Sequence, residues 1–368
     1  MASKHWLLPE DVIELLPKEA AHVEVLRRQI IDQLASWGYQ LVMPPLVEYL
    51  DSLLAGSGDD LDIQTSKVTD HLSGRLMGVR ADMTPQIARI DAHRLPTSGE
   101  SRYGYCGEVL RNRSESTEPR RNPLIAGAEL FGVSGVSGDV EIIALLLSIL
   151  ESLNITNSVV DLGHAGIFSG LVSRENLSVA DRHLLADIFA GKKRPDLAGW
   201  QADSGLSDQL IEDVQHLIDA HGQRDPLQVL ESRFAGINAE FDRAIADLER
   251  SKALLAAFYP EQAFTVDLGT VGSYGYHSGL VFACYAAGHY GTIARGGRYD
   301  GIGAAYGRAR PATGFSADLL TLAQLSNNGL ATTNISASNF PVDAAAFAAI
   351  QAQRAAGECI HFEHEEDL

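Results

Sequence analysis

The chain predicts an α+β protein: an antiparallel sheet flanked by helices, with a helical insertion and a small C-terminal α/β tail. Three observations predict it. Apolar residues recur at helical spacing over 9–37 and 139–153. Aliphatic and small residues alternate, as strands do, over 103–109, 126–133 and again over 264–294. Between these blocks, 178–257 is helix-rich throughout and reads as an inserted subdomain. The expected division is one domain over 1–325 with its insertion at about 178–257, the polar linker SNNGLATTN over 326–334, and a strand–helix–strand segment over 335–368.

In chain order, Val23, Leu26, Ile30, Ile31 and Leu34 share a helix face, Pro9 suits a first turn, and Gly38 stops the helix. Tyr39 to Val47 contains Pro44 and Pro45 and reads as an extended edge segment, because proline has no N–H for a ladder. Leu61 to Leu76 is polar without periodicity and reads as a mobile loop. The strands at 103–109 and 126–133 pair as a hairpin whose long tip is the charged stretch Arg111 to Arg121. Ser178 and Asp181 are capping candidates at the start of the insertion. After 294 the pattern predicts glycine-rich turns at Gly296, Gly297 and Gly301 and a helix from about Phe315 to Ser326.

Composition narrows function. The 368 residues are 45% hydrophobic, ordinary for a soluble globular chain. With 29 Lys+Arg against 48 Asp+Glu the formal charge is −19, a field that repels polyphosphate, so tRNA is not an expected partner. The first twenty residues hold no apolar signal core and no run of about 18 apolar residues occurs, so the expectation is a cytoplasmic protein without a membrane partner. Cys106, Cys284 and Cys359 are scattered and odd in number, which suits reduced thiols. Gly301, Gly303 and Gly307 imitate a dinucleotide fingerprint at the wrong spacing, so no cofactor is expected. Cys359, His361 and His364 have ligand-like spacing beside an acidic end, and no metal is expected there. Arg295, Arg298, Arg308 and Arg310 read as a salt-bridged surface rather than a basic patch.

On local pattern alone, Asp82 and Thr84 read as a helix cap, Glu129 equally as a solvated edge residue or a ligand, and His277 as a packed histidine. A larger pattern changes that weighting. RADMTPQIAR (80–89), RYGYCGEVLRNR (102–113), GAELFG (127–132), YGYHSGLVF (274–282) and GGRYDG (296–301) together resemble the catalytic domain of histidyl-tRNA synthetase. DLGHAGIFSGL (161–171), YGYHSGLVF and GRARPATGF (307–315) bring the chain closer to that enzyme's paralogues, the ATP phosphoribosyltransferase regulatory subunits, and the resemblance runs in order over roughly 8–325.

The resemblance implies a class II aminoacyl-tRNA synthetase-like sheet, with Gly38 to Glu48 as a dimer-forming motif. It also implies lost chemistry. Arg111 keeps the hairpin arginine, but Arg113 stands where the synthetase has an acidic residue, Ile125 where it has glutamine, Gly272 where it has a catalytic arginine, and Thr321 where it has the arginine that closes its third motif. Each lost charge-stabilising group typically costs about 2.7–4 kcal/mol of barrier, so no catalytic residues are expected. Roughly 50 residues follow Leu322, against on the order of 100 for an independent anticodon-reading domain.

What the resemblance leaves is a pocket for L-histidine. Asp82 and Thr84 would take the ammonium, Glu129 would accept from the imidazole with Tyr276 or His277 alongside, Tyr105 would pack on the ring, and Arg111 would hold the carboxylate. The implied protein is a non-catalytic subunit that activates a short-form ATP phosphoribosyltransferase catalytic subunit in the first step of L-histidine biosynthesis. It would be a dimer within a hetero-oligomer, a hetero-octamer by resemblance, with histidine as feedback effector. The rival readings are a working histidyl-tRNA synthetase-like enzyme and a solitary histidine-binding module.

Overall fold

The computed structural model describes residues 7–56, 59–113, 120–204, 207–220, 226–269, 276–326, 335–339 and 343–363. Helix α1 (Pro17–Ser36) starts eight positions later than the apolar spacing predicts, with Pro17 in its first turn. The reason lies upstream: Asn122 on the hairpin both accepts from Ile13 N and donates to Ile13 O, each at 2.9 Å, so those backbone groups are already spent. Val23, Leu26, Ile30 and Leu34 are buried as predicted while Ile31 is half-buried, and Gly38 ends the helix at φ +82°.

The extended stretch that follows supplies β1 (Gln40–Leu41) and β2 (Val47–Tyr49), and then α2 (Leu50–Leu53). Leu61 to Leu76 is not the structureless loop its polarity suggests. It contains α3 (Asp59–Gln64) and the hairpin strand β3 (Ser66–Thr69), which pairs with β4 (Leu76–Val79). Asp70 builds the turn by accepting from Leu72 N, and Asn112 fastens α3 by donating to Ile63 O and Thr65 O at 2.9 and 3.0 Å. These contacts come from a residue almost fifty positions away, which local periodicity does not register.

Helix α4 (Thr84–His93) leads to the hairpin β5 (Ser101–Glu108) and β6 (Leu124–Phe131), then to α5 (Val136–Ser152), β7 (Ser158–His164) and α6 (Ala165–Val172). Most of the hairpin tip lies outside the described residues. The insertion is helical as predicted: α7 (Val179–Ala190), α8 (Arg194–Ser204), α9 (Asp208–Ala220), α10 (Pro226–Phe234) and α11 (Ala239–Phe258). Ser178 caps α7 by accepting from Asp181 N. The sheet resumes with β8 (Ala263–Val266), β9 (Leu280–Ala286) and β10 (Thr292–Arg298), followed by α12 (Ile302–Ala305), β11 (Ala312–Asp318) and α13 (Leu319–Leu325).

Two expectations fail here. Gly296 and Gly297 are not turns but lie inside β10, where a Cβ on Gly296 would sit 2.2 Å from Gly314 O and 2.6 Å from the Phe282 ring. Close packing, not chain reversal, requires glycine there. Phe315 belongs to β11, and the helix begins only at Leu319, where the Asp318 side chain accepts from Leu320 N at 3.0 Å.

Among the described residues the main sheet runs β1-β5-β6-β11-β10-β9-β7-β8, antiparallel except for the parallel pairs β1–β5 and β7–β8 at its edges. β2, β4 and β3 form a small separate sheet. Helix α5 is buried on nearly every side against the main sheet, α1 and α11, and its run of Ile142, Ile143, Leu145 and Leu146 anchors the core. The tail is strand, helix, strand as predicted: β12 (Ile335–Asn339) pairs in parallel with β13 (Cys359–Glu363) around α14 (Ala344–Ala355). Nearly all of the predicted linker lies outside the described residues. No helix of the described residues is long and apolar enough to cross a membrane.

Candidate functional site

The sheet's antiparallel register places Glu129 of β6 between Tyr103 of β5 and Gly314 of β11. It is 1% exposed, far from the solvated edge position that strand alternation also allowed. Three hydroxyls serve its carboxyl group: Thr84 Oγ1 donates to Oε1 at 2.7 Å, Tyr105 OH to Oε1 at 3.0 Å, and Tyr299 OH to Oε2. Burial pushes the Glu129 carboxyl up to about 8, against the opposing pull of these hydrogen bonds. Gly314 makes room for it, since a Cβ there would lie 1.7 Å from Oε2.

Aromatic side chains pack beside this group. The ring of Tyr276 stacks on Tyr299 at 5.4 Å and 15°, and His277 meets Tyr276 edge-on at 5.0 Å. His277 Nδ1 is buried without a hydrogen-bond partner among the described residues, and burial holds its imidazole down at about 4, so it is neutral at pH 7. Gly297 permits its approach, because a Cβ there would lie 2.9 Å from the imidazole Cδ2.

Asp82 sits just before α4, where its Oδ1 accepts from Met83 N at 2.6 Å and from Thr84 N at 3.4 Å. Asp82 thus steadies the backbone leading into α4, whose N-cap position is Met83 and carries no side-chain cap. The Thr84 hydroxyl gives its proton to Glu129 and keeps lone pairs for an incoming donor. Tyr105 is completely buried and spends its hydroxyl on Glu129, so it orients the carboxylate from beneath rather than offering its ring to a ligand. Arg111 is half-buried and its Nε points to Ala81 O at 3.4 Å, next to Asp82.

Tyr299 is the site residue that sequence reasoning missed. Its glycines make the GGRYDG string read as a turn, which hides the strand β10 that leads Tyr299 to Glu129. Its neighbour Arg298 is structural: it is buried, pairs with Asp139 at 2.9 Å and donates to Val133 O and Gly135 O. Arg308 and Arg310 are likewise committed, both reaching the buried Asp91. Thr321 is buried and donates to Asp318 Oδ2 at 3.2 Å, and the same carboxylate holds Arg120 at 2.8 Å. Gly272 lies outside the described residues, as does His364. Among the described residues no cluster of His, Cys, Asp and Glu has the arrangement of a metal site.

The family profile described as histidyl-tRNA synthetase matches residues 11–322. Two solved structures share the fold. An ATP phosphoribosyltransferase regulatory subunit/histidyl-tRNA synthetase from Bacillus halodurans has a TM-score of 0.84 at 24% identity, covering 100% of this chain and 95% of that one. A histidyl-tRNA synthetase from Nostoc has 0.79 at 19%, covering 100% and 88%. The protein thus has the class II synthetase fold of the histidyl-tRNA synthetase type.

Closer sequence relatives refine this. The ATP phosphoribosyltransferase regulatory subunit of Methylococcus capsulatus is 44% identical over 328 residues, 89% of this chain and 81% of the relative. That of Pseudomonas syringae pv. syringae is 46% identical over 320 residues, 87% and 80% respectively. The chain belongs to the family of ATP phosphoribosyltransferase regulatory subunits. An ATP phosphoribosyl transferase (HisG:HisZ) complex from Thermotoga maritima also shares its fold, with a TM-score of 0.62 at 14% identity over 83% of this chain and 98% of that one.

Proposed function

We propose that this protein is a non-catalytic subunit that binds L-histidine in the Glu129 pocket and acts on a separate short-form catalytic subunit, activating it and passing on feedback by histidine. The observation that carries the reading is Glu129 itself: a buried acceptor, oriented by three hydroxyls, facing the stacked Tyr276 and Tyr299 and the unpartnered His277 Nδ1. An imidazole needs a flat apolar face to pack on and an acceptor for its N–H, and the neighbouring rings and the Glu129 carboxyl are groups of those two kinds. Asp82 and the Thr84 lone pairs supply acceptors for an ammonium, with Arg111 the nearby cation for a carboxylate.

The lack of catalysis is supported by Thr321, which occupies the place of a phosphate-holding arginine, while the nearby Arg120 is tied to Asp318. A self-association face is supported by Leu41, Met43, Leu46, Val47 and Tyr49, all exposed along one stretch at the sheet edge. Charge-assisted hydrogen bonds contribute about 1.5–3 kcal/mol each, so two or three supply about 3–9 kcal/mol, and burial of the imidazole ring must add the rest for micromolar binding. Calorimetric titration with L-histidine tests the pocket. Binding in the parent, weakened at least about tenfold by Tyr299→Phe, is the expected result; no heat with the parent protein would sink the reading.

A further inference from the structure

The pocket is mechanically tied to the exposed apolar stretch at the sheet edge. We propose that Glu48, Gln86 and Arg89 form a joint through which histidine in the Asp82–Thr84–Glu129 pocket alters the 41–49 face that would meet a second copy of this chain. The inference rests on the pocket reading above and adds its route of regulation.

The tie runs through ten consecutive residues. Asp82 and Thr84 stand at the start of α4. One turn further on, Gln86, 1% exposed, donates from Nε2 to Pro45 O at 2.8 Å and to Glu48 Oε1 at 2.9 Å. After one more turn, Arg89 clamps Glu48 with both nitrogens of its fork, Nε to Oε2 at 2.9 Å and Nη2 to Oε1 at 2.5 Å. Just before Asp82, the buried Arg80 donates from Nη1 to Pro44 O at 2.8 Å, and its backbone N donates to Leu46 O at 3.0 Å. Residues 44, 45, 46 and 48 are therefore held by the same short piece of chain that carries two ligand-facing side chains.

This dependence follows from the sequence of the stretch. Pro44 and Pro45 have no N–H to give a ladder, so their carbonyls take donors from side chains instead. Met83 and Ile87 are fully buried, so the start of α4 is packed tightly on the core and strain introduced there is passed along rather than absorbed. Gln86 Oε1 is buried with no partner among the described residues, so Gln86 holds this joint through its Nε2 donor alone. Along the same stretch Met43 is 74% exposed, and Leu41, Leu46, Val47 and Tyr49 are exposed as well. A shift of α4 on ligand binding thus reaches an apolar surface by direct hydrogen bonds, and packed interfaces respond to small shifts by switching between discrete arrangements.

Hydrogen exchange read by mass spectrometry on the full chain, with and without saturating L-histidine, tests the joint. Typical coupling between sites corresponds to about 5- to 150-fold, so histidine is expected to slow exchange of the Leu46–Tyr49 amides by at least about fivefold in the parent. Gln86→Met, which keeps the bulk and loses both donors, should still bind histidine by calorimetry while the slowing falls below about twofold. Arg89→Met, at a less buried position, is the companion variant should Gln86→Met fold poorly. Histidine binding by the parent without slowing at 46–49, or slowing that survives the variants, overturns the joint alone. Absence of histidine binding by the parent overturns the pocket reading and this inference with it.

Discussion

Glu129→Gln separates the burial of a charge from the shape of the pocket. The amide is isosteric: its oxygen accepts from Thr84 and Tyr105 as Oε1 does, and its nitrogen donates to the Tyr299 hydroxyl oxygen. What changes is titration. Burial raises the parent carboxyl from 4.5 to about 8. An acid whose folded pKa lies above its unfolded value holds its proton in the folded state after the unfolded chain has released it. Stability from this group is fully present below about pH 4.5 and is lost as pH rises through about 8. Each unit within that window costs about 1.4 kcal/mol, or roughly 4 kcal/mol between pH 5 and pH 8 if Glu129 alone titrates. Glutamine has no such slope. Urea melts of both proteins at pH 5, 6.5 and 8, without ligand, should show the parent losing ground to the variant by a few kcal/mol across the series. Parallel stability profiles, agreeing to within about 1 kcal/mol, would refute the reasoning that a buried, proton-sharing carboxyl sits at the centre of the pocket.

Two further substitutions test the frame around it. Arg298→Met leaves Asp139 buried without its partner, and thermal melts at neutral pH should show a loss of about 3–5 kcal/mol; a loss under about 1 kcal/mol would mean that this ion pair does not hold β10 against α5. Gly314→Ala places a Cβ 1.7 Å from Glu129 Oε2, so the carboxyl must move. Destabilisation of about 1–3 kcal/mol with loss of histidine binding is expected, and unchanged calorimetric affinity would show that the carboxyl position is not what selects the ligand.

Helix ends are legible where local rules govern them, and α3 and the start of α1, fixed by Asn112 and Asn122 from the hairpin, are not. Gly38 stops α1 and Ser178 caps α7 where the residue types predict. Strand pairing was legible where alternation is clean, as in the β5–β6 hairpin. It was hidden where tertiary contact overrides composition: β10 carries glycines because neighbouring strands and Phe282 crowd it, and β3 is polar because its small sheet is half-exposed. The site shows the same division. The local pattern marks Asp82 and Thr84 as the start of a helix, but not that the Thr84 hydroxyl turns to Glu129 instead of capping. Glu129 was ambiguous, since alternation says which face a residue takes and not whether that face is covered. Tyr299 carried no independent signal, because its role depends on β10 being a strand and on Gly314 leaving space in the next one.

The most direct test of the central claim is turnover of a short-form ATP phosphoribosyltransferase catalytic subunit with this protein added, at zero and saturating L-histidine, beside the Glu129→Ala and Asp82→Ala variants. Activation by the parent that histidine reverses, with activation kept but reversal lost in the variants, is the predicted result. Turnover unchanged by the parent protein would contradict it.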